Sequence, residues 1–305
     1  MKFERSAGIL LHPTSLPGPF GVGTIGQDAR NFVDFLEGAG VGLWQILPLG
    51  PTGYGDSPYQ CLSSFAGNLY LLDPEELRTL GLASDDDVEA CRVPNKGGVD
   101  FGRLFVEKNR LVDAAWERFK ASGAALGSRT AQGGGGAALE AEFAEFSAAN
   151  AFWLDDYALF SAIKEAHGFA SWDRWPEALR RRETGALAEF ATSASDRIRR
   201  HKFAQYLFRR QWGAIHAYAH GKKLKIVGDL PIFVAYDSAD TWAHPELFLL
   251  DRERRPTKVA GVPPDYFTAT GQLWGNPLYD WKANKREGFA WWISRIRTTL
   301  DLVDI

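Results

Sequence analysis

At 305 residues, with 45% hydrophobic and 24% charged, the chain has ordinary globular composition and enough length for one large domain or two ordinary ones. The 35 basic and 38 acidic residues leave a formal net charge of -3, so no global field draws the protein toward nucleic acid or an anionic membrane, and a neutral partner is expected. Its two cysteines, Cys61 and Cys91, lack the CxxC spacing of a zinc site and the density of a disulfide framework. No apolar run matches a signal sequence or a membrane span, so the expected location is cytoplasmic.

In chain order, Ala7–Leu11 and Leu43–Leu47 read as short strands buried on both faces, with a helix between them over Gln27–Ala39. That helix carries an apolar stripe of Phe32, Phe35, Leu36 and Ala39, with Asp28 at its positive end and Gly38 and Gly40 as stop signals. Strand, helix, strand predicts parallel pairing through a right-handed crossover. Residues 1–72 thus form the first barrel-like units, and 73–195 read as a largely helical insertion. Within the insertion, Val112, Ala115, Trp116 and Phe119 mark one helix; Leu139, Phe143 and Phe146 mark a second. The stretch between them, 121–138, contains Gly133–Gly136 and reads as a flexible surface linker, without the pattern of a phosphate-binding loop.

Residues 196–305 resume the strand–helix alternation. A long helix over Asp196–His220 places Phe203, Leu207, Ile215 and Tyr218 on one side, and its basic cluster of Arg197, Arg199, Arg200, His201 and Lys202 reads as a solvated face. Leu224–Gly228 is a third strand ending at Asp229. Over Gly288–Leu300 a last helix carries a stripe of Trp292, Ile293, Ile296 and Leu300. The pattern points to an α/β fold, part of a (β/α)8 TIM barrel with a largely helical inserted subdomain, whose site lies at the C-terminal ends of the strands. Three convincing strands stand against the eight of a complete barrel, which would leave parallel strand edges exposed.

Two dense Gly/Pro/aromatic blocks carry the functional signal: His12–Pro17 with Gly50–Gln60 near the start, and Gly228–Phe233 with Pro263–Tyr279 near the end. Loops that concentrate Tyr, Trp, Asp and Asn among Pro and Gly suit carbohydrate, which offers apolar ring faces edged with hydroxyls. These motifs resemble those of the 4-α-glucanotransferases, the amylomaltase or disproportionating-enzyme family of the α-amylase clan. The resemblance covers essentially the whole chain outside 121–138, where this sequence is longer and richer in Gly and Ala.

The resemblance implies an enzyme that moves α-1,4-glucan segments between maltooligosaccharides, starch or glycogen with retention, on the N-terminal part of a (β/α)8 barrel. Such chemistry needs an Asp nucleophile and a Glu acid/base. In family members the nucleophile follows a segment like Leu300–Ile305, so the catalytic carboxylates are expected beyond Ile305. The substrate-facing shell is what this chain would supply. Tyr59, following Ser57, resembles an aromatic platform at the cleavage point, and Asp229 a sugar-bonding carboxylate. Tyr54 resembles part of a second glucan surface or an exposed turn residue; His12 either contacts sugar or satisfies a turn, and is read as structural. Asp265, Tyr266 and Phe267 resemble an acceptor-side loop within 260–280 that excludes water, and Trp274 and Asn276 line the same groove. No metal, redox or nucleotide cofactor is expected. The alternative reading is a non-catalytic glucan-binding or regulatory remnant of the fold.

Overall fold

The structure, a computed structural model, describes residues 5–53, 55–93, 97–126 and 135–305. In chain order it runs β1 (Gly8–Leu10), α1 (Gln27–Gly38), β2 (Leu43–Gln45), α2 (Pro74–Thr79), α3 (Asp85–Cys91), α4 (Phe101–Leu126), α5 (Gly135–Ala149), α6 (Ala151–Ala166), α7 (Glu177–Arg180) and α8 (Thr184–Ser193). It continues with α9 (Ser195–Gly221), β3 (Lys225–Val227), α10 (Ala239–Ala243), β4 (Val259–Val262), β5 (Gln272–Pro277), α11 (Trp281–Arg286) and α12 (Ala290–Leu300).

The first three strands pair in parallel in the order β1-β2-β3, with Ile9 opposite Trp44 and Trp44 opposite Ile226. Lys225 and Val227 bond to the β2 side, whereas the Ile226 carbonyl accepts from the amides of Asp304 (2.9 Å) and Ile305 (3.2 Å), and the Gly228 amide donates to Ile305 (2.8 Å). A parallel strand bonds its two neighbours through alternate residues, so 304–305 pair in parallel with the edge of β3 that β2 leaves open. The close approach requires Gly228: a Cβ there would lie 2.7 Å from Val303 Cγ2.

One buried cluster joins Trp44 and Ile226 of the sheet to Val33 and Leu36 of α1, Phe203, Leu207, Trp212 and Ile215 of α9, and Trp116, Phe119 and Phe143 of α4 and α5. The helices between 73 and 195 therefore share the core of the sheet through α4 and α5, as the spacing of Val112, Ala115, Trp116 and Phe119 predicts. A second cluster gathers α6, α10 and α12 around Trp172, Trp242, Tyr279 and Trp291. Helices α4 and α5 take up 121–126 and 135–138 at the two ends of the expected linker; 127–134 lie outside the described residues.

Several local expectations are corrected. Strands β1 and β2 are not buried on both faces: Leu10 is 55% exposed. In α1 the inward residues are Ala29, Val33 and Leu36, and Phe35 faces solvent. In α12 the predicted stripe is the outer face, with Ile293, Ile296 and Leu300 exposed, while Trp291, Arg295 and Thr298 point inward.

The basic cluster on α9 is likewise no solvated face. Arg200 is fully buried and donates to Asp113 (2.9 Å) and the Asn109 carbonyl (2.9 Å); Arg197 pairs with Asp113 (2.6 Å) and Glu165, which also meets His201 Nε2 (3.1 Å). Burial drives His201 down to about 4 from an ordinary 6.5, as it does His12. Burial alone would raise Glu165, but bonds from His201 and Arg197 outweigh it and hold the carboxyl at about 2. Between pH 6.5 and 4 the unfolded chain binds protons at the two histidines that the folded chain refuses, so stability falls as pH falls. Below 4.5 the depressed Glu165 continues the loss toward pH 2. Urea midpoints measured from pH 7 to pH 4 should therefore decline, and His201→Gln should flatten that decline; an unchanged slope would contradict this assignment.

Candidate functional site

Tyr59 and Asp229 lie in the loops that follow β2 and β3, and Trp274 and Asn276 lie on β5. After β2 the chain folds back on itself over 51–62, closed by Gly53 N–H to Gln60 O (3.1 Å) and Leu62 N–H to Pro51 O (2.8 Å). This tight loop presents Tyr59, whose amide donates to Ser57 Oγ (3.3 Å), leaving the ring 43% exposed. After β3 the chain breaks into Gly228-Asp-Leu-Pro, placing half-buried Asp229 opposite. The Tyr59 hydroxyl donates to Asp229 Oδ2 at 2.7 Å, across 170 residues of sequence. That bond, with lesser help from burial, raises the phenol to about 12, so it stays protonated and remains a donor near neutral pH.

Loop 229–233 is held from below by Arg295 of α12, which donates to the carbonyls of Pro231 and Ile232 (3.4 Å) and lies over the rings of Trp291 (5.4 Å) and Trp292 (5.1 Å). Beneath Tyr59 and Asp229, a small cavity of about 70 Å³ reaches Phe65, Val234 and Arg295.

The third wall is an antiparallel hairpin of β4 and β5, where the sequence suggested a loop. Gly271, at φ +73°, passes where a Cβ would lie 2.5 Å from the Val262 carbonyl, so the turn needs glycine. Asp265 organises the hairpin end by accepting from the amides of Phe267 (2.9 Å) and Thr268 (2.9 Å), which projects Tyr266 and Phe267 at 98% and 88% exposure. Trp274, with Nε1 bonded to Gln272 Oε1 (3.0 Å), faces Phe233 at 6.4 Å. Asn276 is buried; it donates to the Val234 carbonyl (2.8 Å) and accepts from Gln60 Nε2 (2.9 Å).

The fold thus brings Ser57, Tyr59, Asp229 and Trp274 together on one surface, with Asp265, Tyr266 and Phe267 at the end of the overhanging hairpin, whereas Asn276, expected to line the groove, is buried and bonds Val234 and Gln60 instead. Tyr54 lies outside the described residues. His12 is buried and lines a neighbouring groove of about 620 Å³ together with Thr52, Asn68 and Phe101. Sequence reading missed Gln60 and Arg295. Gln60 stands next to Tyr59 in the same motif but offers neither ring nor charge as a signal, and Arg295 is hidden by the apolar residues around it on α12. Gln60 ties the Tyr59 loop to the hairpin, so Gln60→Ala is expected to leave buried Asn276 Oδ1 without its donor, at about 1–3 kcal/mol. Amide exchange across Gln272–Pro277 should accelerate, and unchanged rates would show that the tie does not hold the hairpin.

Exposed ring faces, a carboxylate with an aligned hydroxyl, and an overhanging aromatic arm are features of an α/β protein that suit a carbohydrate ligand. A family model described as 4-alpha-glucanotransferase matches residues 11–305. The chain is 51% identical to the 4-alpha-glucanotransferase of Thermus thermophilus, over 99% of this chain and 57% of that one. It is 41% identical to the chloroplastic/amyloplastic 4-alpha-glucanotransferase of Solanum tuberosum, over 99% and 51%. An amylomaltase from Streptococcus agalactiae, solved in complex with acarbose, superposes with a TM-score of 0.89 at 40% identity, over 99% of this chain and 58% of that one. The chain belongs to the 4-alpha-glucanotransferase family. It spans a little over half the length of these relatives.

Proposed function

We propose that the protein acts as a 4-α-glucanotransferase, moving α-1,4-glucan segments between maltooligosaccharide, starch or glycogen chains with retention. In this reading the present chain holds the glucan. The observation that carries it is the Tyr59–Asp229 bond, which joins the two aromatic blocks at the strand ends and leaves a ring face and a carboxylate oxygen for sugar. A glucose unit stacks on the Tyr59 ring while its hydroxyls donate to Asp229. Trp274 extends the apolar floor toward the hairpin. Transfer requires that an acceptor sugar outcompete water, and Tyr266 and Phe267, apolar and almost wholly exposed, are suited to fold over an occupied groove. The acarbose bound by the streptococcal relative is an oligosaccharide-like ligand that fits the same proposal.

The paired state of Arg197 and Arg200 removes the main feature that would invite nucleic acid. Among the described residues no helix is long and apolar enough to cross a membrane. The two cysteines are free, consistent with action in a reducing cytoplasm. The test is to incubate the protein purified from its source cells with maltotriose. Glucose plus a ladder of glucans longer than maltotriose is expected; glucose and maltose alone would overturn the reading in favour of hydrolysis.

A further inference from the structure

Where residue 304 meets β3 and the end of α9, three ligand-type side chains converge. His216 and His220 lie one turn apart on α9, on the same helix face. Their Nε2 atoms meet the two oxygens of one carboxylate: His216 Nε2 lies 3.3 Å from Asp304 Oδ2, and His220 Nε2 lies 2.6 Å from Asp304 Oδ1. The rings are 4.3 Å apart, and one donor atom from each of the three residues lies within 4.8 Å of the others. The sequence pattern offers no metal cluster, because Asp304 stands more than eighty residues from the histidines and only the fold unites them.

We infer that His216, His220 and Asp304 form a binding site for a divalent transition-metal ion of the zinc class, separate from the glucan site. Two imidazole nitrogens and one carboxylate are donors that borderline ions prefer, and two histidines at i and i+4 on a helix with a third ligand from elsewhere is a recurrent zinc arrangement. Tetrahedral ligand atoms about 2.0–2.2 Å from a common ion stand roughly 3.4 Å apart, and the three donor atoms here, all within 4.8 Å of one another, reach that spacing by small side-chain rotations. Hydrogen bonding alone accounts for either ring singly. What points to an ion is that both rings aim the same nitrogen at one carboxylate whose orientation is fixed independently. Asp304 Oδ2 accepts from the Ile226 amide at 2.7 Å, the outer contact that ligating carboxylates characteristically have. His220 is half exposed, which gives the ion an entry path. Bound there, the ion pins the C-terminal end of α9 to the strand edge at 304–305, so its role is structural.

The test uses untagged protein freed of metal with a chelator and titrated with zinc chloride by calorimetry. One zinc per chain and a zinc-dependent rise in the thermal midpoint are expected. His216→Gln and His220→Gln, which preserve a hydrogen-bond donor toward Asp304, should each weaken zinc binding by about tenfold or more. The double variant should lose the midpoint rise while His244→Gln retains it. Zinc binding that survives in the double variant, or no zinc-dependent rise in the unaltered protein, overturns the site. Should the glutamine variants fold poorly, the visible spectrum of cobalt(II) added to the unaltered protein decides: bands of a nitrogen-ligated ion support the site, and the spectrum of hydrated cobalt refutes it.

Discussion

Replacing Trp44 by alanine is expected to lower the free energy of unfolding by about 3–5 kcal/mol, a large share of what a domain of this kind possesses. Trp44 has no solvent exposure and sits on β2, the central strand, paired with Ile9 on one side and Ile226 on the other. Its ring meets Phe32 edge-on at 5.3 Å and Trp212 at 6.5 Å, so it is where the sheet, α1 and α9 touch. Its Nε1 donates to the Leu11 carbonyl at 2.7 Å, closing the polar group at the end of β1. Alanine leaves both a cavity and an orphaned carbonyl; Trp44→Phe restores most of the packing and should cost less, mainly through the lost hydrogen bond. Urea denaturation followed by circular dichroism measures both. A loss under about 1 kcal/mol for the alanine variant would mean that the core is centred elsewhere.

The second large effect is expected at the proposed glucan surface. Asp229→Asn removes the charge that accepts from Tyr59, and hydrogen bonds to charged groups are worth about 1.5–3 kcal/mol. Affinity for maltoheptaose should fall by about 10- to 150-fold. Tyr59→Phe keeps the stacking ring but releases the carboxylate, so it should have a smaller effect. The double variant should be less impaired than the sum of the two, because the residues act as one unit. Tyr59 is largely exposed and Asp229 lies in a loop, so circular dichroism should not change. Additive effects in calorimetry would show that the bond between them plays no part in binding.

These two predictions rest on features that differ in how far the sequence discloses them. Short apolar runs announce β1, β2 and β3, and helical spacing announces α4 and α9, because periodicity is a local property. The composition of the loops likewise points to carbohydrate, and the resemblance to the 4-α-glucanotransferases singles out Tyr59, Asp229 and Trp274. What local pattern does not reveal is which side of an element meets which partner. In α12, Ile293 and Ile296 make the apolar stripe, yet Arg295 is the residue turned inward, because the carbonyls of Pro231 and Ile232 satisfy its charge. In α9, Arg200 reads as a surface cation until Asp113 and Asn109 close around it. The β4–β5 hairpin is masked by Gly and Pro, which mark turns more strongly than Val259–Val262 marks a strand. The Tyr59–Asp229 pair, the Gln60–Asn276 tie and the His216–His220–Asp304 cluster are long-range events that only the folded chain brings about.

The most direct test of the glucan surface is a crystal structure of the protein with maltoheptaose bound. A glucose ring stacked on Tyr59, a hydroxyl donating to Asp229, and further units running toward Trp274 beneath the hairpin that carries Tyr266 and Phe267 are expected. A glucan bound elsewhere, with the Tyr59–Asp229 pair uncovered, would contradict this arrangement.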